Sequence, residues 1–293
     1  MTEDLTEGFV CSNLSGDLSG LSFKEIPIEK VSENFVKIDI KAASLNFPDL
    51  LMTQGKYQNK PELPFALGME GSGVISEIGK NVKSLKNGDE VMFGSWGHGA
   101  IAKEIVLPSS MVSLKPAKYT FAEAAAFKTV YLTAYVGLIR RGNLKDGETL
   151  LVHGASGGVG MAAVELGKLY GAKVIATGTS DEKLKVVKSW GADHVINTIK
   201  NEKTSFREEV KDLTDGKGAD IIYDPVGGDV FDESIRCINW GGRILVIGFS
   251  AGRISNLPVN YPLIKGFSVI GVRAGEFGRR NPELGTENIE IIN

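Results

Sequence analysis

The run His153-Gly154-Ala155-Ser156-Gly157-Gly158-Val159-Gly160 holds the most chemically suggestive spacing in the chain. It follows the apolar stretch Leu150-Leu151-Val152 and opens a helical pattern with Val159, Ala163, Leu166 and Tyr170 on one stripe. A strand, a glycine turn and a helix in that order point free backbone N–H groups and the positive end of a helix dipole at one spot, where a pyrophosphate can sit. Glycine permits the tight turn and the close approach of backbone to phosphate, and the last glycine lets helix pack on strand. The pattern predicts that Gly154, Ala155, Gly157, Gly158, Val159 and Gly160 contact a dinucleotide. A ligand-free βα turn is the bland alternative, and the strand–turn–helix context weighs against it.

The residues about 20 positions further on discriminate between dinucleotides. A site for NAD places Asp or Glu at the end of the second strand to bind the ribose hydroxyls. Here the strand end reads Thr177-Gly178-Thr179-Ser180, small and neutral, with Lys183 three residues later. Thr179, Ser180 and Lys183 are therefore assigned to the 2′-phosphate of NADPH, with Lys183 as a point charge. Asp181 complicates this reading, because a plain first-turn acid beside a capping Ser180 and a solvated Lys183 fits the same letters.

The turn needs a sheet to hold it. From Glu148 to Gly271, β-rich runs alternate with helical patterns: Thr149–His153, Lys173–Thr177, His194–Asn197, Asp220–Tyr223, Arg243–Ile247 and Phe267–Ile270. Several are apolar without alternation, as parallel strands buried on both faces are. Six such strands with right-handed crossovers predict a doubly wound parallel sheet. Before residue 120 the texture is mostly β. Phe35–Lys41 alternates apolar and polar residues, and Gly71–Ser76 and Glu90–Phe93 add short strands, predicting a small barrel or sandwich. At 293 residues the chain can bury two cores.

Composition narrows the function class. A net charge of -3 favours neither nucleic acid nor an anionic membrane as partner. The apolar run Phe121 to Ile139 is interrupted by Glu123 and Lys128, so it predicts a core helix, not a membrane span. The acidic start lacks a signal peptide, and two cysteines, Cys11 and Cys237, are too few for a disulfide framework. A cytoplasmic enzyme is expected. Thr286 to Asn293 reads as a helix just starting, capped by Thr286, with Ile289 and Ile292 on one face. It stops after about two turns, which suggests a truncated chain.

Taken together, Asn46-Phe47-Pro48-Asp49-Leu50-Leu51-Met52, Gly68-Met69-Glu70-Gly71-Ser72-Gly73, Tyr131-Leu132-Thr133-Ala134-Tyr135, Gly154 to Gly160 and Gly248-Phe249-Ser250-Ala251-Gly252 resemble the medium-chain dehydrogenase/reductase superfamily. More narrowly they resemble its zinc-independent, zeta-crystallin-like NADPH:quinone oxidoreductase branch, from about Phe9 to Glu290. The resemblance implies an α/β fold: a GroES-like β-rich catalytic domain over residues 1–122, a Rossmann NADPH-binding domain over 123–265, and a last Rossmann strand with a truncated return over 266–293. It implies that Asn46 and Thr133 contact the nicotinamide end, that Gly248, Phe249 and Ser250 line it, and that Lys183 binds the 2′-phosphate. It also implies a homodimer through Phe267–Ile270. The usual C-terminal helix and final strand of the catalytic domain are missing, Leu51 stands where some relatives have tyrosine, and Thr198 replaces a common tyrosine.

No metal is expected. Catalytic zinc needs Cys, His or carboxylate ligands. Met69 stands where zinc relatives have the histidine of Gly-His-Glu, Ser44-Leu45-Asn46 offers no thiol, and His98, His153 and His194 are scattered. Without a Lewis acid, an already electrophilic quinone or α,β-unsaturated carbonyl is the expected hydride acceptor. Tyr57 is the candidate hydroxyl that orients or protonates substrate, evenly balanced against a tyrosine that merely packs. Asp49 is either a supporting acid or a helix-start residue. The alternatives are an enoyl thioester reductase, for which Arg273, Arg279 and Arg280 would be the basic residues, and a nucleotide-binding protein without turnover.

Overall fold

The computed structural model describes residues 4–95, 99–199 and 206–293, so His98 lies outside the described residues. The chain divides into two compact units, residues 1–129 and 130–293.

The first unit is built from two antiparallel sheets. Strands β1 (Leu5–Cys11), β2 (Leu21–Pro27), β3 (Phe35–Ser44), β4 (Phe65–Ala66), β5 (Glu70–Ile78), β6 (Glu90–Gly94), β7 (Glu104–Pro108) and β8 (Val112–Leu114) pair in the orders β2-β1-β4 and β7-β3-β5-β6-β8. The alternation read in Phe35–Lys41 puts Val36 and Ile38 in a core with Ile75, Val91, Phe93, Ile105 and Leu107. Helix α1 (Phe47–Thr53) leaves β3 through Asn46, with Pro48 in its first turn, where a missing N–H costs nothing. The expected core helix over 121–139 is broken into α2 (Phe121–Ala125) and α3 (Lys128–Tyr135), followed by a π-helical stretch Val136–Arg141. Thr120 and Glu123 form a capping box at the start of α2, and the chain leaves helical geometry at Ala126.

The second unit is the doubly wound sheet. Strands β9 (Thr149–Val152), β10 (Lys173–Gly178), β11 (His194–Asn197), β12 (Ala219–Asp224), β13 (Ile238–Val246) and β14 (Ser268–Gly271) are all parallel, in the order β11-β10-β9-β12-β13-β14. The central strands are apolar because α4 (Gly158–Leu169), α5 (Asp181–Ser189), α6 (Phe206–Asp212), α7 (Gly228–Cys237) and α8 (Asn260–Lys265) are wound around this sheet, leaving Leu150, Leu151, Ile221 and Ile222 fully buried. Strand order reverses between β9 and β12, the switch point where such sheets bind ligands beyond their strand ends.

Near the C-terminus the expected last strand is present but starts one residue later, at Ser268–Gly271, with Phe267 buried in the core, and one expectation fails. After α9 (Ala274–Arg280), helix α10 runs from Pro282 to Ile292, so Thr286 is not its cap. Pro282, with φ preset and no N–H to satisfy, starts the helix a turn earlier. The Thr286 hydroxyl instead donates to the Pro282 carbonyl at 3.1 Å. No described helix is long and apolar enough to cross a membrane.

Candidate active site

The second unit assembles the strand, glycine turn and helix as the sequence lays them out. Gly154 adopts φ +54°, a left-handed conformation that L side chains rarely take. The Ala155 N–H donates to the Thr177 carbonyl (3.0 Å) and the Gly157 N–H to the Gly154 carbonyl (3.0 Å), so both amides hold the turn itself. The first helical bond of α4 runs from the Met161 N–H to the Gly157 carbonyl (2.8 Å), which puts the amides of Gly158, Val159 and Gly160 at the open N-terminus of the helix. A Cβ on Gly160 would lie 2.5 Å from the Gly154 carbonyl oxygen, so close packing demands glycine there. Gly157 differs. Its φ is -82° and an added Cβ would meet only the Gly154 oxygen, at 3.4 Å.

Two more strand ends complete this patch. The Asp224 carboxylate accepts from the amides of Val226 (2.8 Å) and Gly227 (2.9 Å), shaping the loop after β12. Ser250 and Ala251 donate backbone N–H bonds to the carbonyls of Pro225 (3.1 Å) and Val226 (3.0 Å), and the Phe249 ring lies against Gly227. Gly248, Phe249 and Ser250 are thus brought beside the loop whose Val226 touches Gly154. Beneath the turn, His153 is fully buried. The Ser234 hydroxyl donates to the Val230 carbonyl (2.7 Å), so it accepts from His153 Nε2–H (2.8 Å), and His153 Nδ1 accepts from the Thr177 hydroxyl (2.8 Å). Burial pushes the imidazole down to about 4. His153 is a neutral brace linking β9, β10 and α7.

At the end of β10, Ser180 caps α5, its hydroxyl accepting from the Lys183 N–H at 3.4 Å. Thr179 and Lys183 are exposed there. The Asp181 carboxylate accepts from the Asn197 amide at 2.6 Å, tying it to the end of β11. Thr133 is half-buried on α3 in this unit.

The first unit carries a different kind of site. Glu70, at the start of β5, is buried and its two oxygens are engaged separately: Oε1 accepts from Asn46 Nδ2 (2.9 Å) and Oε2 from the Thr129 N–H (2.8 Å). Asp49, 2% exposed, accepts from the Asn46 N–H at 2.8 Å, while its other oxygen has no hydrogen-bond partner. Burial pushes the Asp49 carboxyl up to about 6. Lys128 is 8% exposed, and burial brings its ammonium down to about 8 against the opposing pull of Glu70. Asn46 thus bonds two buried carboxylates, one of which is coupled to the buried Lys128. Tyr57 does not join them. Its ring is half-buried against the small core of Cys11, Met52, Phe65 and Leu67, beside Met69.

The models of two families match this chain: the alcohol dehydrogenase GroES-like domain over residues 32–117 and the zinc-binding dehydrogenase over residues 158–287. The quinone oxidoreductase-like protein 2 homolog of Nematostella vectensis is 40% identical over 263 residues, 89% of this chain and 71% of that protein. The chain belongs to the medium-chain dehydrogenase/reductase superfamily, among its quinone oxidoreductase-like proteins. Among solved members of the superfamily, the Escherichia coli quinone oxidoreductase complexed with NADPH superposes with TM-score 0.83 at 28% identity, covering 99% of this chain and 87% of that one. The CurK enoyl reductase gives TM-score 0.86 at 27% identity, covering 99% and 87%.

Against the zinc-binding name of one of these models, the residues of this quinone oxidoreductase-like chain do not fit a zinc ion. Met69 and Asn46 offer a thioether and an amide where zinc wants thiolate or imidazole. Among the described residues no group of three or more His, Cys, Asp and Glu side chains could hold a metal. Glu70, Lys128, Asp224, Asn197 and the His153 brace escaped the sequence reading. Glu70 had a signal, since it follows Met69 in the Gly-His-Glu position. Lys128 had only its place as a charge within an apolar run.

Proposed function

We propose that this oxidoreductase transfers hydride from NADPH to a quinone or another α,β-unsaturated carbonyl compound, without zinc. The carrying observation is the patch at the ends of β9 and β10: an open helix N-terminus over a glycine cradle, followed by a small neutral strand end and an exposed Lys183. The Asp181 carboxylate, which could have bound a ribose diol, is drawn toward Asn197. When bound, the dinucleotide supplies hydride. The amides of Gly158, Val159 and Gly160 would hold its pyrophosphate, with Gly154, Ala155 and Gly157 shaping the cradle. Thr179, Ser180 and Lys183 would hold the 2′-phosphate. Asn46 and Thr133 would orient the nicotinamide end, and Gly248, Phe249 and Ser250 would line it. Tyr57 remains a candidate to orient substrate.

An enoyl thioester as acceptor is the second reading, favoured by the likeness to CurK. Its basic residues are already engaged, since Glu276 receives bonds from Arg279 (2.9 Å) and Arg280 (2.7 Å) and lies 3.7 Å from Arg273. A homodimer through the edge of β14 is also proposed. Among the described residues that strand pairs on one side only, with β13, and Trp240, Val259, Leu263, Ile264 and Val269 are exposed apolar residues of this unit.

Titration of the protein with NADPH and NADH, followed by cofactor fluorescence, tests the assignment. Replacing Lys183 by alanine is expected to weaken NADPH roughly tenfold, the loss of one exposed charge-assisted contact, and to leave NADH unchanged. Oxidation of NADPH by 1,2-naphthoquinone, simple enones and acryloyl-CoA then identifies the acceptor. Equal affinity for both cofactors in the wild type would overturn the NADPH assignment.

A further inference from the structure

Lys128 has no hydrogen bond or ion pair among the described residues, yet it lies deep in the first unit with a carboxylate for company. A lysine in that position costs folding energy unless its charge is used or compensated. Compensation is incomplete here. Glu70 is the ionisable group coupled to it, and both Glu70 oxygens are occupied, one by the Asn46 amide and one by the Thr129 backbone. The carboxylate therefore favours the protonated amine through its field while leaving all three ammonium hydrogens unclaimed. Asp49 is the next charge, facing Glu70 from the start of α1. These two carboxylates repel one another, and Lys128 is the cation coupled to Glu70.

Among the described residues this locality lacks the donor set for a metal, because Asn46 and Met69 hold the positions that would need a thiolate and an imidazole. A site that reduces a carbonyl compound without a Lewis acid still needs positive charge at the oxygen and a proton for the product. We propose that Lys128 is the proton donor of this site, its ammonium meeting the substrate oxygen as hydride arrives. The proposal rests on the reductase reading above.

The balance is closed. The hydride bonds to the β carbon of the acceptor, the C=C π pair shifts to the bond between the α and carbonyl carbons, and the carbonyl π pair moves onto oxygen. One N–H bond of the ammonium breaks and its proton goes to that oxygen, giving an enol; with a quinone the ring carbon that took the hydride then loses a proton to water as the second carbonyl oxygen takes one, giving the hydroquinone. The neutral amine then takes a proton from water. Burial places the amine near pH 8, close enough to neutrality to give and regain a proton, whereas a solvated lysine holds its proton too tightly.

Three variants and two readouts test it. Lys128→Met is similar in length and apolar, Lys128→Arg keeps the charge but cannot release a proton, and Lys128→Gln serves if the first does not fold. With quinone or enone acceptor, kcat of the wild type is expected to fall above about pH 8. Lys128→Met and Lys128→Arg should each lose roughly a hundredfold in kcat and the alkaline limb with it. Binding of 4-nitrophenolate, read by its absorbance without cofactor, should weaken roughly tenfold in Lys128→Met, a lost buried charge pair, and persist in Lys128→Arg. A Lys128→Met protein that keeps its kcat and its alkaline limb overturns the proposal. If the wild type reduces none of the acceptors, the reductase reading fails, and the phenolate titration still decides whether Lys128 presents its charge to a bound oxygen.

Discussion

The two units bury ionisable groups in opposite ways. In the second unit, His153 is fully enclosed, neutral, and satisfied at both ring nitrogens by Thr177 and Ser234. In the first unit, Asp49 has a carboxylate oxygen without a partner and Lys128 has an ammonium without one, both nearly as buried. A group satisfied in its neutral form makes a rigid support, which a binding surface for a fixed ligand requires. Groups held with their charged forms disfavoured are poised to exchange protons, and such perturbation concentrates where chemistry is done. On the proposed reading, grip falls to one unit and proton chemistry to the other.

Removing the charge of Glu70 should have the largest effect. Glu70→Gln preserves the shape but leaves Lys128 buried without a counter-charge. It also gives up the charge on the acceptor of two hydrogen bonds, from Asn46 and Thr129; hydrogen bonds to charged groups contribute about 1.5–3 kcal/mol each, so urea unfolding should show a loss of that order. Adding Lys128→Met should restore part of it, because the orphaned charge goes too. A single mutant within about 0.5 kcal/mol of the wild type, the range of ordinary surface changes, would show that the two groups do not depend on one another.

Acid should separate the units next. His153 has a folded value of about 4 against 6.5 for the free side chain. Between those values the unfolded chain binds a proton that the folded chain refuses, so stability falls as pH drops from 6.5 to 4. The loss reaches on the order of 3 kcal/mol at pH 4. Asp49 runs the other way. Its folded value, about 6, exceeds the ordinary 3.8, so the folded state takes its proton first and gains stability as pH falls from 6 to 3.8. His153→Gln should flatten the first slope and Asp49→Asn the second, measured by denaturant melts at intervals of pH. Slopes unchanged in both variants would remove the contrast.

What was legible in the sequence divides along the same line. The phosphate turn was readable because its parts are neighbours: strand, glycines and helix within one continuous stretch, all recovered in place. Lys128 was not, since it read as an interruption of the apolar run, and its significance depends on Glu70, whose contact with Thr129 spans 59 residues. The His153 brace reaches 24 and 81 residues along the chain, so periodicity could place the residue in a strand but not name its partners. Thr286 misled because a local cap signal competed with Pro282, a stronger helix start a turn earlier. The six parallel strands were legible as apolar runs. The bond that ties Asp181 to Asn197 on another strand was not.

The finest test of the contrast lies within the turn, where two glycines look alike in sequence and differ in structure. At Gly160 an added Cβ would stand 2.5 Å from the Gly154 oxygen and 2.7 Å from the Ala155 Cα, both backbone, so the helix must shift. At Gly157 it would meet one atom, at 3.4 Å, with φ already normal. Gly157→Ala should therefore leave the melting temperature close to that of the wild type, yet weaken NADPH roughly tenfold, about 1.4 kcal/mol, by standing where the pyrophosphate would lie. Gly160→Ala should lower stability and affinity together, since the helix N-terminus moves. Calorimetric melts with cofactor titrations of both variants give the answer. A Gly157→Ala protein that binds NADPH as the wild type does would mean that the open space over the turn is not where the phosphates sit.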